Sequence, residues 1–251
     1  MRLIRNVAGV VVFLLIWEGF GRSGYLPVDY FPPPTVVAGT LADQFSSPEY
    51  LRALVATLLT WLIAFGISVG VAVPVGLVLG SVPFVRDATR SVIEFLRPIP
   101  AVAMIPLALV LFGNGPSMKI TLAVYAAIWP IMFNVIYALG QVDQQYLDTA
   151  RSFGLGRVRT TLRVKLPDVL PFAITGFRLS ATVALLVIVA IELVNGGSIG
   201  IGTYVMQYGE NVGHMDIVFA GAVVAGALGV LINSGIALLQ RKLVPWGGGT
   251  E

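Results

Sequence analysis

DQQYLDTARSFGLGRVRTTLRVKLP, residues Asp143–Pro167, is the longest polar interval in the second half of the chain. Its first part has helical periodicity, because apolar residues recur at helical spacing at Tyr146, Leu147, Ala150 and Phe153. Gly154 and Gly156 follow, and a residue without Cβ suits the left-handed conformation that ends many helices. The stretch then becomes basic. We therefore predict a short amphipathic helix, a glycine break and a basic rise into a membrane, which is typical of a docking element on one membrane face.

The composition of the chain places this stretch between membrane spans. The 251 residues are 57% hydrophobic and 12% charged, with a mean hydropathy of +0.87, whereas a soluble domain carries about 25% charged residues. The net charge of +3 is scattered between apolar runs, so it indicates membrane topology rather than nucleic-acid binding. Without cysteine there is no thiolate site, and the single His214 leaves no histidine cluster. We predict no metal, no cofactor and no catalytic residue.

About six membrane spans are predicted from the apolar runs. They are Asn6–Phe20, Ala53–Gly80, Pro98–Phe112, Thr121–Leu139, Phe172–Val194 and Ile217–Leu239. A cleaved signal peptide is the alternative for the first run, because its apolar core is short. Between the spans we predict an extended loop over Gly21–Tyr50, an amphipathic segment over Pro83–Arg97 and a glycine-rich loop over Asn195–Gly213.

Two spans carry internal signals of packing or bending. The third cannot be a straight helix, because Pro98, Pro100 and Pro106 lack the backbone N–H. In the second, the small-residue pairs Gly66/Gly70 and Gly76/Gly80 have the spacing that lets membrane helices approach closely.

The predicted organisation has three segments. Residues 1–50 form an N-terminal membrane helix and an extracytoplasmic loop, residues 51–242 form the membrane core with the short amphipathic helix at 143–156, and residues 243–251 form a cytoplasmic tail. A cytoplasmic N-terminus leaves only Arg22, Arg52 and Lys119, of sixteen basic residues, on the outer side. Both termini and Asp143–Pro167 are therefore predicted to be cytoplasmic. The residues alone leave two interpretations of that stretch equally open, docking on a partner protein and lying on anionic lipid.

A motif match favours the partner. Asp148-Thr149-Ala150, then Gly154, then Val164-x-Leu166-Pro167 resembles the EAA signature of ABC importer permeases, E-A-A-x3-G-x9-I-x-L-P. The match keeps the third-position Ala, the Gly, the spacing and the Leu-Pro, while Asp148, Thr149 and Val164 depart from it. Further stretches are similar to the branch that handles nitrate, sulfonates and taurine: Arg97–Pro100 with Ile105–Leu107 and Phe112-Gly113, Gly24–Pro27 with Pro33–Thr35, Ser198–Gly200, and Asp216–Gly221.

The resemblance covers about residues 17–242 and implies an all-α membrane protein with the type I (MetI-like) importer fold. It implies that two permeases pair as a homo- or heterodimer, that each rests its EAA helix on a cytoplasmic ABC ATPase, and that an extracytoplasmic binding protein delivers the solute. The implied solute is a small anion of the sulfonate, taurine or nitrate type, moved across the cell inner membrane. No G-x-x-x-x-G-K-[ST] loop occurs, so ATP hydrolysis is assigned to the partner and this chain is not predicted to be an enzyme.

The residues that the motif implies for ATPase coupling are Asp148, Thr149, Ala150, Phe153, Gly154, Leu166 and Pro167. Phe153 is the expected apolar anchor, since aromatic residues dominate many interfaces. Asp148 either pairs with a basic group of the ATPase or favours its own helix N-terminus. Gly154 either permits close approach to the ATPase or only caps the helix.

The predicted solute path or gate comprises Pro98, Pro100, Pro106 and Glu192. Bends at prolines expose backbone groups, as broken helices do in other transporters. Glu192 lies near the outer end of the fifth span, where a carboxylate is costly unless it faces a cavity or a partner. A structural hydrogen bond is the alternative role for Glu192.

A self-contained ion-coupled carrier or channel, without an ATPase, is the alternative function. Such a carrier is expected to have several intramembrane carboxylates and often an internal repeat. The sequence offers one such carboxylate, Glu192, and no repeat. Both observations favour the importer permease.

Overall fold

The computed structural model describes residues 2–196, 198–209 and 214–243, and within them it contains helices and turns but no strand. The helices are α1 (Arg2–Arg22), α2 (Pro34–Phe45), α3 (Pro48–Ser81), α4 (Pro83–Leu96), α5 (Ile105–Phe112), α6 (Pro116–Gln141), α7 (Gln144–Ser152), α8 (Arg157–Thr160), α9 (Leu166–Asn195), α10 (Ile201–Gly209) and α11 (Met215–Leu243). A 3-10 turn at Ala101–Met104 leads into α5, and a π-helical turn at Thr161–Lys165 joins α8 to α9. The prediction of an all-α chain is confirmed.

Four helical runs among the described residues are long and apolar enough to cross a membrane. They are α3, α6, the run from α8 through α9, and α11, and they contain the predicted second, fourth, fifth and sixth spans. The pair formed by α4 and Ala101–Phe112 would provide a fifth. The predicted count of six also includes α1, a 21-residue helix over the first apolar run.

The third predicted span, Pro98–Phe112, is not one straight helix, as its prolines require. The axis turns by 79° between α4 and Ala101–Phe112. Pro100 caps the 3-10 turn, and Pro106 lies in the first turn of α5, where a missing N–H costs nothing. The end of α4 is fixed on α6, because Tyr125 donates its hydroxyl proton to the Leu96 carbonyl at 2.5 Å.

Only one of the two predicted glycine pairs makes a close contact within this chain. A Cβ added at Gly76 would lie 3.0 Å from Val135 of α6, and one at Gly80 would overlap Leu139. These glycines therefore let α3 approach α6 closely. A Cβ at Gly66 or at Gly70 would meet nothing within 4 Å, so this pair makes no close contact within the described chain.

The two long loops predicted from glycine and proline content contain helices. Gly21–Tyr50 includes α2 and the start of α3, and Asn195–Gly213 includes α10. Pro34 begins α2, because its fixed φ suits the first helical turn. In α10, Ile201, Tyr204 and Val205 are buried against Tyr50 and Ala53. Tertiary burial therefore stabilises a helix that its glycines do not favour.

The chain divides into two compact units. One contains the chain up to Leu58 together with Val189–Leu228, and its core is built on Tyr50, Ala53, Tyr204 and Val224. The other contains Leu59–Ile188 and the chain from Gly229 onward. Its largest core comes from α3, α6 and α9: Ala72, Leu79, Ile131, Met132, Val135, Ala138, Leu139, Val169 and Ala173. The coupling segment belongs to this second unit. The predicted tail, residues 243–251, lies outside the described residues beyond Leu243.

Candidate functional site

The predicted docking helix exists as α7 and has a defined beginning. Asp143 is the N-cap, in extended conformation, and its Oδ1 accepts a hydrogen bond from the Gln145 N–H at 2.9 Å. A side-chain acceptor at this position satisfies one of the backbone donors that a helix start leaves unpaired. α7 therefore begins three residues after α6 ends at Gln141.

α7 ends in a Schellman motif built on Gly154. Gly154 has φ +67°, its N–H donates to the Arg151 carbonyl at 2.9 Å, and the Leu155 N–H donates to the Ala150 carbonyl at 3.0 Å. A Cβ at Gly154 would meet nothing within 4 Å, so its backbone conformation, not space, favours glycine here. The predicted glycine break is confirmed as a C-terminal cap.

The apolar residues of the α7 stripe lie in two environments, one buried and one exposed. Ala150 is buried and Leu147 half-buried, whereas Tyr146 is 56% exposed and Phe153 81% exposed. The single apolar face predicted from spacing is therefore split: one part fixes α7 to its own unit, and two aromatic rings remain uncovered in the described chain. An exposed aromatic pair beside a capped helix end is the kind of surface that anchors a partner.

An open groove runs beside these rings. It has a volume of about 420 Å³, and its walls include Thr149, Phe153, Leu155, Val164 and Pro167. Thr149 itself bonds within the helix, because its hydroxyl donates to the Gln145 carbonyl at 2.8 Å. The structure thus brings the motif residues of α7 together with Pro167 at the start of α9.

Asp148 is exposed and paired within its own helix. Its Oδ1 lies 3.0 Å from Nη1 of Arg151 and accepts a hydrogen bond from Nε2 of Gln144 at 3.1 Å. Asp148 lies at the middle of α7, so Asp143, not Asp148, caps the helix start. An exposed pair of this kind contributes only ~0–1 kcal/mol, so Asp148 can exchange Arg151 for another cation at little cost.

The Leu166-Pro167 end of the motif coincides with the π-helical turn. The Leu166 N–H donates to the Thr161 carbonyl, five residues earlier. Pro167 has no N–H to offer the Arg163 carbonyl, so a regular α-helical bond is impossible at that place. The proline therefore explains why the rise into α9 is locally widened, a feature that is common at functional sites.

Glu192 has a different environment, in the other unit. Its side chain is 1% exposed, and the Thr57 hydroxyl donates to its two carboxylate oxygens at 3.1 and 3.0 Å. Oε2 also accepts the Gly202 N–H at 3.1 Å, and the Thr57 Oγ1 accepts the Ile201 N–H at 2.9 Å. Glu192 and Thr57 therefore cap the N-terminus of α10, and we call this arrangement the Glu192 clamp.

Two glycines make room for the Glu192 clamp. A Cβ at Gly200 would overlap the Glu192 carboxylate, and one at Gly202 would lie 2.7 Å from the Val189 carbonyl oxygen. The far end of α10 is held by the Tyr208 hydroxyl, which donates to Oε2 of Glu49 at 3.2 Å. The negative charge of Glu49 raises the pKa of Tyr208.

Sequence reasoning missed the partners of Glu192 and the cap of α7. The Gly200-Ile201-Gly202 sequence after an apolar helix was a usable signal, because small residues there permit close approach of a carboxylate. Asp143, followed by the apolar-periodic residues of α7, was a usable N-cap signal. Pro98, Pro100 and Pro106 lie at the exposed surface of the bend described above.

Comparison with known proteins identifies the class. The family model described as the inner membrane component of binding-protein-dependent transport systems matches residues 72–245. The chain belongs to this family, the membrane permease component of ABC importers, which has no ATPase domain of its own.

Individual relatives are similar over nearly the whole chain. The taurine transport system permease protein of Escherichia coli is 30% identical over 97% of this chain and 90% of that protein. A bicarbonate transport system permease protein of Synechocystis is 26% identical over 97% and 89%. The nitrate import permease protein of the same organism is 27% identical over 97% and 90%.

A solved structure supports the predicted fold. The inward-facing methionine ABC transporter MetNI contains a chain that matches with a TM-score of 0.66 at 20% identity, over 76% of this chain and 94% of that one. At that identity the likeness shows the fold alone. The predicted type I importer permease fold is confirmed.

Proposed function

We propose that this chain works as one of a pair of permeases that couples ATP hydrolysis by a partner ATPase to import of a small anion. α7 is the contact with the ATPase, an extracytoplasmic binding protein supplies the solute, and a second permease completes the pathway. In this assembly the N- and C-termini face the cytoplasm.

The observation that carries the proposal is the surface of α7. Asp143 caps the start of the helix and Gly154 caps its end, while the buried side chain of Ala150 packs the helix against its own unit. Its uncovered side presents Phe153 and Tyr146 beside a groove. A rigid helix with an exposed aromatic anchor can transmit a push or a pull from a partner, which a mobile loop cannot.

The proposed solute class comes from the relatives. The printed names of three similar proteins concern taurine, bicarbonate and nitrate, and each of these solutes carries an oxyanion group. We propose that this chain moves a solute with such a group.

We propose that the residues predicted for the solute path or gate do line the path or control its gate. The break that contains Pro98 and Pro100, with Pro106 in the first turn of α5 beyond it, gives a membrane segment backbone groups outside a regular helix, which suits a path lining. Glu192 acts in gating by holding the start of α10 rather than by touching an anion, because its carboxylate is negative and buried.

The experiment uses two variants of α7 in the assembled transporter. Gly154→Leu strains the cap, since a side chain at φ +67° is unfavourable, and Asp148→Lys places a second cation beside Arg151. We expect both to abolish ATP-dependent anion uptake while the protein stays in the membrane. Gly156→Leu is the matched control for size, because Gly156 has open space and no positive φ.

Uptake is measured with labelled taurine, bicarbonate and nitrate, and membrane content by immunoblot. Normal uptake in both α7 variants would remove the docking role. Solute movement by the isolated chain in liposomes without ATP would replace the importer by the self-contained carrier.

A further inference from the structure

Arg178 is a charged residue deep inside a membrane span. It lies in α9, twelve residues after Leu166 and seventeen before Asn195. In α3, α6, α9 and α11 every other Asp, Glu, Lys or Arg lies within five residues of a helix end. At 1.5 Å per residue Arg178 is about 18 Å from the start of α9, near the middle of a hydrocarbon core about 30 Å thick.

A neutral side chain at the same depth holds Arg178. Its Nε donates to Oδ1 of Asn233 in α11 at 2.7 Å. Asn233 lies ten residues before the end of α11 at Leu243, about 15 Å along that helix. This hydrogen bond places Nε against α11 and restrains the guanidinium, which opposes extension of the side chain along the span towards either lipid surface.

The charge itself has no acidic partner among the described residues. Nε makes the one hydrogen bond that the structure gives this side chain, while the four N–H groups on Nη1 and Nη2 have no protein acceptor there. Arg178 is also only half-buried in the described chain. An intramembrane cation is costly unless it faces water or an opposite charge, and such residues mark substrate pathways.

A guanidinium matches oxyanions by geometry. Its two outer N–H groups lie in one plane and donate in parallel to two oxygens of a sulfonate, nitrate or carboxylate-like group. The hydrogen bond to Asn233 uses Nε of Arg178, so the N–H groups on Nη1 and Nη2 remain available to an anion. Pre-orientation by Asn233 reduces the entropy lost when an anion binds.

We propose that Arg178, oriented by Asn233, is an oxyanion-binding residue of the translocation pathway. This inference rests on the proposed function and specifies it, since it assigns the recognition of the anionic group inside the membrane to one side chain. The phosphate group of a lipid is the other oxyanion that the Arg178 guanidinium can bind. The depth of Arg178 and its tether to Asn233 favour the solute.

The absence of cysteine gives a direct test. Arg178→Cys is introduced as the single cysteine of the chain in the assembled transporter, and its reaction with a water-soluble methanethiosulfonate that carries an ammonium group is followed. We expect the residue to react, the reaction to slow when taurine or nitrate is present during turnover, and uptake to recover after modification. A neutral methanethiosulfonate of similar size should react without restoring uptake.

Uptake by charge variants provides the second measurement. We expect Arg178→Gln to lower the maximal uptake rate at least tenfold with an unchanged half-saturating concentration, because the binding protein captures the solute first. Arg178→Lys keeps the charge and should retain more of the rate than Arg178→Gln. Arg90→Gln is the control for charge loss, because Arg90 is exposed and paired with Glu94.

Three outcomes would overturn the assignment. Reaction of Arg178→Cys only with a lipid-soluble maleimide would place the residue against lipid and assign lipid phosphate as its partner. Unchanged uptake in Arg178→Gln would remove any role in transport, and equal loss in Arg178→Gln and Arg178→Lys would indicate a structural role. Failure of the wild-type transporter to move any anion would instead refute the proposed function, so the two failures are distinguishable.

Discussion

α7 and the Glu192 clamp are two ways of fixing a short helix, and they differ in what they leave uncovered. α7 is closed by local hydrogen bonds, from Asp143 at its start and around Gly154 at its end, and it exposes Phe153. The clamp fixes α10 by contacts from Glu192 and from Thr57, which is 144 residues from Ile201 in sequence, and both side chains are buried.

The difference indicates two kinds of role. A locally closed helix keeps its shape whether or not its outer face is covered, so it can bind and release a partner in every transport cycle. A helix capped by a buried carboxylate depends on tertiary contacts, and it can be displaced only by exposing that carboxylate. This contrast supports the proposed docking role of α7 and leads us to propose a conformational lock at α10.

Loss of the buried carboxylate is expected to have the largest effect. Glu192→Ala leaves the Thr57 hydroxyl and the Gly202 N–H buried without this acceptor. At about 1–3 kcal/mol for each unsatisfied group, we expect a loss of roughly 3 kcal/mol and a fall in Tm of several degrees, together with loss of uptake. The change in Tm is measured by thermal unfolding of the protein in detergent.

Glu94→Ala is the control for this change, because Glu94 is exposed and pairs only with the exposed Arg90 among the described residues. Its Tm should remain within a degree or two of the wild type. If Glu94→Ala and Glu192→Ala unfold alike, the contrast between a buried lock and an exposed surface is wrong.

Removal of the α7 cap is expected to have a smaller effect. Asp143→Ala removes the acceptor for the Gln145 N–H, which costs about 1 kcal/mol of helix stability. We expect little change in Tm but faster amide hydrogen exchange over Gln144–Ser152, measured by mass spectrometry. Asp143→Asn keeps an N-cap acceptor and should restore slow exchange, whereas fast exchange in both variants would show that the cap does not hold α7.

Much of the coupling segment could be predicted because its determinants are local. Periodicity placed the helix, and Gly154 marked its end at the residue that has φ +67°. The prolines of the third span predicted its bend for the same reason, since a missing N–H acts within one turn. The motif that contains Leu166-Pro167 also supplied the family, which the comparisons confirm.

The determinants of α10 are not local. It lies in a stretch with glycines that favour a loop, and it is stabilised by burial of Ile201 against Tyr50 and Ala53. Its apolar residues at Ile201, Tyr204, Val205 and Tyr208 do follow a helical period, but nine residues are too few for the pattern to outweigh Gly200 and Gly202. Thr57, which bonds to Glu192, and Asn233, which bonds to Arg178, lie 135 and 55 residues away in sequence, and no spacing rule identifies them.

The central claim is that α7 contacts an ABC ATPase, and site-specific crosslinking tests it most directly. Tyr146→Cys, as the single cysteine, is labelled with a benzophenone maleimide and photolysed in native membranes, with Tyr25→Cys as the control at an exposed residue predicted to lie on the other membrane face. We expect an ATPase adduct from position 146 and none from position 25. Adducts with lipid alone from position 146, in membranes that still import the solute, would contradict it.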